Sequence, residues 1–160
     1  MVHSIAVSPD GKTALSGSFD KSVKLWDLHS GTCISSFKDH GYFVCGVAFS
    51  AAHGAMFFNG CWGDKTVRMW SLKSKKCIKK FVGHSSVVQR AQLSRDEKCM
   101  LSGARDCTVR VWSVESGESL ATFGPNLVGH TLALSPDGRS ILTTDHDGNV
   151  VLLRERLRLT

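Results

Sequence analysis

Four times along the chain an aspartate opens a heptapeptide that runs through a β-branched residue to a large apolar one. The copies are Asp20 to Trp26 (DKSVKLW), Asp64 to Trp70 (DKTVRMW), Asp106 to Trp112 (DCTVRVW) and, more faintly, Asp147 to Leu153 (DGNVVLL). The aspartates stand 44, 42 and 41 residues apart. A self-similarity of this period makes the chain an array of supersecondary units, each too small to bury its own faces and dependent on its neighbours.

Inside each period, short apolar and β-branched runs alternate with turn residues and show no 3.6-residue stripe, which indicates strands rather than helices. In the third unit the spacing predicts strands near 87–93, 98–103, 107–113 and 118–123. Turns carry matching chemistry: Ser-Pro-Asp-Gly at 8–11 and 135–138, Ser30-Gly31 and Ser116-Gly117 supply side-chain bonds or positive φ. Each unit is expected to be a four-stranded antiparallel meander, with units at 1–39, 40–83, 84–125 and 126–160. Val23 and Leu25 project to one face of their strand and Trp26 to the other, so both faces of a meander need cover. Radial stacking around a central channel provides it.

Composition bounds the rest. With 42% hydrophobic and 21% charged residues the chain can build a core. No apolar run approaches the roughly 18 to 20 residues of a spanning helix, and the N-terminus has no basic-then-apolar signal segment. The six cysteines, at 33, 45, 61, 77, 99 and 107, form no C-x-x-C pair and are expected to be reduced thiols of a cytoplasmic or nuclear protein. Cys33 and Cys77 share one repeat position, where packing is the simplest role. Phosphate-cradling glycine loops and metal-ligand spacings are both missing, so neither cofactor nor metal is expected.

These residues resemble the WD-repeat β-propeller family, whose signature is Gly-His before the first strand and Trp-Asp closing the third. Trp26-Asp27 and Gly83-His84 are literal matches, and Trp70-Ser71, Trp112-Ser113 and Asp39-His40 are variants. The resemblance implies an all-β propeller segment of four four-stranded blades. It also implies a hydrogen-bonded tetrad in each blade, complete here at His84, Ser102, Asp106 and Trp112 and, with Asn in place of Ser, at His40, Asn59, Asp64 and Trp70. The first unit retains Ser16, Asp20 and Trp26. The fourth keeps Thr143 and Asp147 but has Leu153 for Trp and Asn126 near the His position. Gly129-His130 imitates the signature dipeptide, yet it aligns, like His3, with the interior of a first strand.

Ser, His and Asp together are also the parts of a hydrolytic triad, but a set that recurs in several units beside a burying Trp is structural, and no enzyme activity is expected. The resemblance implies instead a non-enzymatic scaffold for protein or peptide partners. Its face would be formed by Phe19, Trp62, Arg105 and His146 from turns and by His3, Phe43, Cys45, Gln89 and His130 from first strands. Two alternatives are a regulatory propeller of a larger protein, with a catalytic or nucleotide-binding module elsewhere, and nucleic-acid binding through basic residues. Those residues are Lys73, Lys75, Lys76, Lys79 and Lys80, with Arg154, Arg156 and Arg158. They lack interleaved aromatics, and the net charge of +6 is far from that of a nucleic-acid arm, so nucleic acid is the weaker expectation. The resemblance implies about six to eight blades in a closed ring, more than the four units here. The chain is therefore expected to be a fragment or, less simply, half of a ring completed by a homodimer.

Overall fold

The computed structural model describes residues 1–38, 41–50, 55–61, 63, 65–135 and 140–154, with the backbone alone described at 55–61 and at His130. All of the regular structure among the described residues is strand. The first sheet comprises β1 (Val2–Val7), β2 (Thr13–Ser18), β3 (Val23–Asp27) and β4 (Cys33–Phe37), and the second β5 (Phe43–Ser50), β6 (Ala55–Cys61), β7 (Thr66–Ser71) and β8 (Cys77–Val82). The third comprises β9 (Val88–Leu93), β10 (Cys99–Ala104), β11 (Val109–Ser113) and β12 (Ser119–Phe123). The fourth has β13 (Leu127–Leu134), β14 (Ser140–Asp145) and β15 (Val150–Arg154); the outer strand expected at 156–160 falls outside the described residues. Every strand pairs with its sequence neighbour, so each sheet is an antiparallel meander.

Turn chemistry repeats with the strands. Ser8 Oγ donates to Asp10 Oδ1 at 2.6 Å and accepts from Thr13 N at 2.9 Å, closing the β1–β2 hairpin. Ser94, Asp96 and Cys99 repeat this between β9 and β10 at 2.6 and 3.0 Å. A small polar residue thus satisfies backbone donors that a tight turn leaves unpaired.

Three apolar clusters fill the three junctions between four sheets. Leu15, Val23, Phe37, Val44 and Trp70 join the first sheet to the second. Val67, Met69, Phe81, Val88, Met100 and Trp112 join the second to the third, and Leu101, Val109, Val111, Leu127, Leu132 and Ile141 the third to the fourth. Two tryptophans reach back to the preceding sheet: Trp70 meets Phe37 edge-on at 6.3 Å and Trp112 meets Phe81 at 6.0 Å. The closest junction is backbone on backbone. A Cβ at Gly103 of β10 would lie 2.3 Å from the Gly129 carbonyl oxygen of β13, which explains why both positions carry glycine.

The array is open. Among the described residues no extensive contact joins the first sheet to the fourth, and each end leaves apolar side chains uncovered. On β1 Ile5 is 74% exposed, beside Val2 and Val7; on the fourth sheet Val150 is 67% exposed, beside Leu142 and Leu152. Trp26 has no preceding sheet among the described residues and is only half-buried, whereas Trp70 and Trp112 are 4% and 1% exposed.

Candidate functional site: one rim of the blades

Register places the candidate residues at one end of the sheets. Val2 pairs with Ser18, Phe43 with Cys61, Val88 with Ala104 and Leu127 with Asp145, so each first strand begins beside the turn between its second and third strands. First strands of adjacent sheets pack together, and their starts meet: His3 Nδ1 lies 3.2 Å from the Cys45 carbonyl and Val47 N donates to Ser4 Oγ at 3.2 Å.

Behind this rim, the third unit holds its turn through a buried chain of hydrogen bonds. Trp112 Nε1 donates to Ser102 Oγ at 2.7 Å, the Ser102 hydroxyl stands 2.7 Å from His84 Nε2, and His84 Nδ1 stands 2.9 Å from Asp106 Oδ2. A neutral imidazole with its proton on Nδ1 completes every one of these bonds. Asp106 also accepts from Ser85 N at 2.8 Å and from Thr108 Oγ1 at 2.6 Å. Burial holds the His84 imidazole below its ordinary value, against the pull of Asp106. Burial also pushes Asp106 up, but the bonds from Thr108, His84 and Ser85 outweigh it and leave the carboxyl below the usual range. Gly83, before His84, packs closely on the third strand: a Cβ there would lie 2.8 Å from the far end of the Arg110 side chain and 3.1 Å from the Trp112 ring.

The first unit has a shorter version. Trp26 Nε1 donates to Ser16 Oγ at 2.9 Å, and Asp20 accepts from Ser22 N at 2.9 Å and Ser22 Oγ at 2.6 Å. In the second unit Trp70 is buried, while His40, Asp64 and the side chain of Asn59 lie outside the described residues.

At the rim itself two groups of side chains form. Phe19 stacks between His3 and Phe43, with ring centroids 5.2 Å apart on both sides and planes inclined by 18° and 30°. His3 is exposed, and Phe19 and Phe43 are half-buried, so the stack is an apolar platform open to a ligand. Cys45 is buried and disulfide-bonded; it offers His3 a carbonyl, and its sulfur partner lies outside the described side chains. This corrects the expectation of six reduced thiols. Cys45 sits where β5 bulges between Val44 and Gly46, opposite the end of β6, a cross-strand placement to which sequence spacing is blind. Cys33, Cys77, Cys99 and Cys107 are free. The second group spans the third and fourth units, where Cys107 Sγ lies 3.2 Å from His146 Nε2 and Arg105 stands exposed on the same turn as Cys107. Gln89 is half-buried at the start of β9; Trp62 and the side chain of His130 lie outside the described residues.

The family model of the WD domain, G-beta repeat, matches residues 1–27, 31–71, 75–113 and 117–152. The chain belongs to the WD-repeat family. An uncharacterized WD repeat-containing protein of Synechocystis is 37% identical over 94% of this chain and 44% of its own length. Nuclear distribution protein PAC1 of Arthroderma otae is 27% identical over 94% of this chain and 35% of its own length. Human striatin is 51% identical over 24% of this chain and 5% of its own. The chain spans less than half the length of these relatives.

Within the WD-repeat frame, the fourth blade departs from the others. Asp147 is exposed, and Asp145, two residues earlier, takes over the turn by accepting from Asp147 N at 3.0 Å and Asn149 N at 2.8 Å. Thr143 is buried and donates to the Val128 carbonyl at 3.4 Å. Gly129 and His130 lie within β13, and His3 within β1.

The basic residues divide. Lys73, Lys75, Lys76, Lys80 and Arg154 are exposed, Arg156 and Arg158 lie outside the described residues, and Lys79 Nζ bridges to the next blade, donating to the Val114 carbonyl at 2.8 Å and to the Glu115 carbonyl. Tyr42, beside Phe43 and 43% exposed, is a rim aromatic that the repeat pattern does not single out, because no other unit has an aromatic pair there. Cys107 was likewise hidden, since its partner is a whole repeat away.

Proposed function

We propose that this WD-repeat segment is a non-enzymatic scaffold that binds a protein or peptide segment across the rim. The observation that carries the reading is the stack of His3, Phe19 and Phe43, drawn from two blades and open to solvent on a rigid strand framework. Preformed aromatic contacts of this kind gain affinity because little ordering is left to be done on binding. Arg105, on the same rim two blades along, supplies a bidentate donor for a carboxylate. Selection of a displayed peptide library against the full chain tests the reading. Selected peptides are expected to lose binding to a Phe19→Ala/Arg105→Ala variant; equal binding to both proteins would remove the rim from consideration.

A second proposal concerns the two open ends. Uncovered Ile5 and Val7 at one end and Val150 and Leu152 at the other support a segment completed by further blades, supplied by a longer chain or by a second copy. A regulatory propeller of a larger multidomain protein is compatible with the same ends and with the greater length of the relatives. Light scattering separates these sources: a discrete dimer supports closure by a second copy, and a monomer whose ends are covered only when the chain is extended supports further blades.

A further inference from the structure

We infer that Cys107 and His146 form a reactive thiol site on the rim, one whose substrate class is hydroperoxides. The pair joins two blades: Cys107 Sγ, in the turn between β10 and β11, lies 3.2 Å from His146 Nε2, in the turn between β14 and β15. The sulfur is half-buried and the imidazole exposed, so a small reagent reaches both.

Backbone conformation sharpens the case. Cys107 occupies the left-handed region at φ 62°, at the repeat position where the first blade has Lys21 at 70° and the fourth has Gly148 at 85°. That region is disfavoured for a side chain with Cβ. The turn is fixed from below, because the Cys107 carbonyl accepts the Leu127 amide at 3.1 Å. The remaining free thiols have other surroundings. Cys99 is buried, and Cys33 and Cys77 each donate to a backbone carbonyl two residues on, at 3.4 Å, with no imidazole in reach among the described residues.

A nucleophile beside a base is the arrangement that activates a thiol. The Cys107 proton passes to His146 Nε2 as sulfur attacks one oxygen of the hydroperoxide. The S–O bond forms, the O–O bond breaks, and the departing oxygen takes the proton back from Nε2 to leave as water or an alcohol. Sulfur is oxidised by two electrons to the sulfenic acid and the peroxide is reduced by two. The site needs no bound peptide and stands apart from the scaffold reading.

Residue-resolved mass spectrometry of the folded chain tests it. With iodoacetamide, Cys107 is expected to alkylate about tenfold faster than Cys33, in line with modest general-base assistance. His146→Gln, at an exposed position, is expected to bring Cys107 down to the Cys33 rate while the Cys33 rate and the thermal midpoint stay unchanged. With hydrogen peroxide and a 1,3-dione trap, the sulfenic adduct is expected on Cys107. Equal alkylation of Cys33 and Cys107, an unchanged Cys107 rate in His146→Gln, or equal trapping on Cys33 would each overturn the inference.

Discussion

The third and fourth blades are both antiparallel meanders of sequence-neighbour strands but are held together differently, and the contrast separates what the repeat needs for its shape from what it needs for stability. In the third, an unbroken chain from Trp112 through Ser102 and His84 to Asp106 ties the third strand, second strand, entry segment and turn into one buried unit. In the fourth, Leu153 replaces the indole and Thr143 turns to the Val128 carbonyl, and the turn is closed by a half-buried residue, Asp145. Both blades form meanders. The strand pattern is therefore sufficient for shape, and the tetrad adds cohesion to it.

Removing the third blade's indole should have the largest effect. Trp112→Ala deletes a fully buried ring and leaves Ser102 without its donor, a loss of about 3 to 5 kcal/mol. Leu153→Ala, at a half-buried position, should cost clearly less. Chemical denaturation measures both, and equal losses would erase the distinction between the blades. Gly129→Ala attacks their junction instead. Its Cβ would lie 2.3 Å from the Ala104 backbone nitrogen, and we expect a loss of about 1 to 3 kcal/mol by the same measurement, with an unchanged midpoint arguing against the close approach.

Acidification should have a smaller, graded effect, to which His84 of the third blade contributes first. Burial depresses the His84 value in the folded state, so its contribution is complete above the unfolded value of about 6.5 and is lost as pH falls below it. Asp106, also depressed, adds a loss below about 4. The thermal midpoint should therefore drop between pH 7.5 and 5.5, and drop less in His84→Gln. Parallel slopes in the two proteins would place the titration elsewhere.

Much of this contrast is legible in the sequence, because strands with period 2 and a repeated Asp and Trp leave few architectures open. The strands expected near 87–93, 98–103, 107–113 and 118–123 are found at Val88–Leu93, Cys99–Ala104, Val109–Ser113 and Ser119–Phe123. The missing Trp of the fourth blade is visible as Leu153. The features that stay hidden depend on contacts between units. Gly129 resembles a signature glycine but serves backbone packing against Gly103. Asp147 keeps the repeat position while Asp145 does its work. Lys79 reads as one of a run of surface charges, yet it caps carbonyls of the next blade. The His3, Phe19 and Phe43 stack and the pair of Cys107 with His146 each join residues from different repeats, which a per-repeat pattern cannot connect.

Residue-resolved hydrogen exchange on the full chain measures the difference in cohesion between the blades directly. Backbone amides of β10 and β11, and the Trp112 indole N–H, should exchange more slowly than the amides of β14 and β15, because opening the third blade breaks the buried tetrad while the fourth has none to break. Exchange in β14 and β15 as slow as in the third blade, or slower, would contradict the claim that the tetrad sets the order of stability along the array.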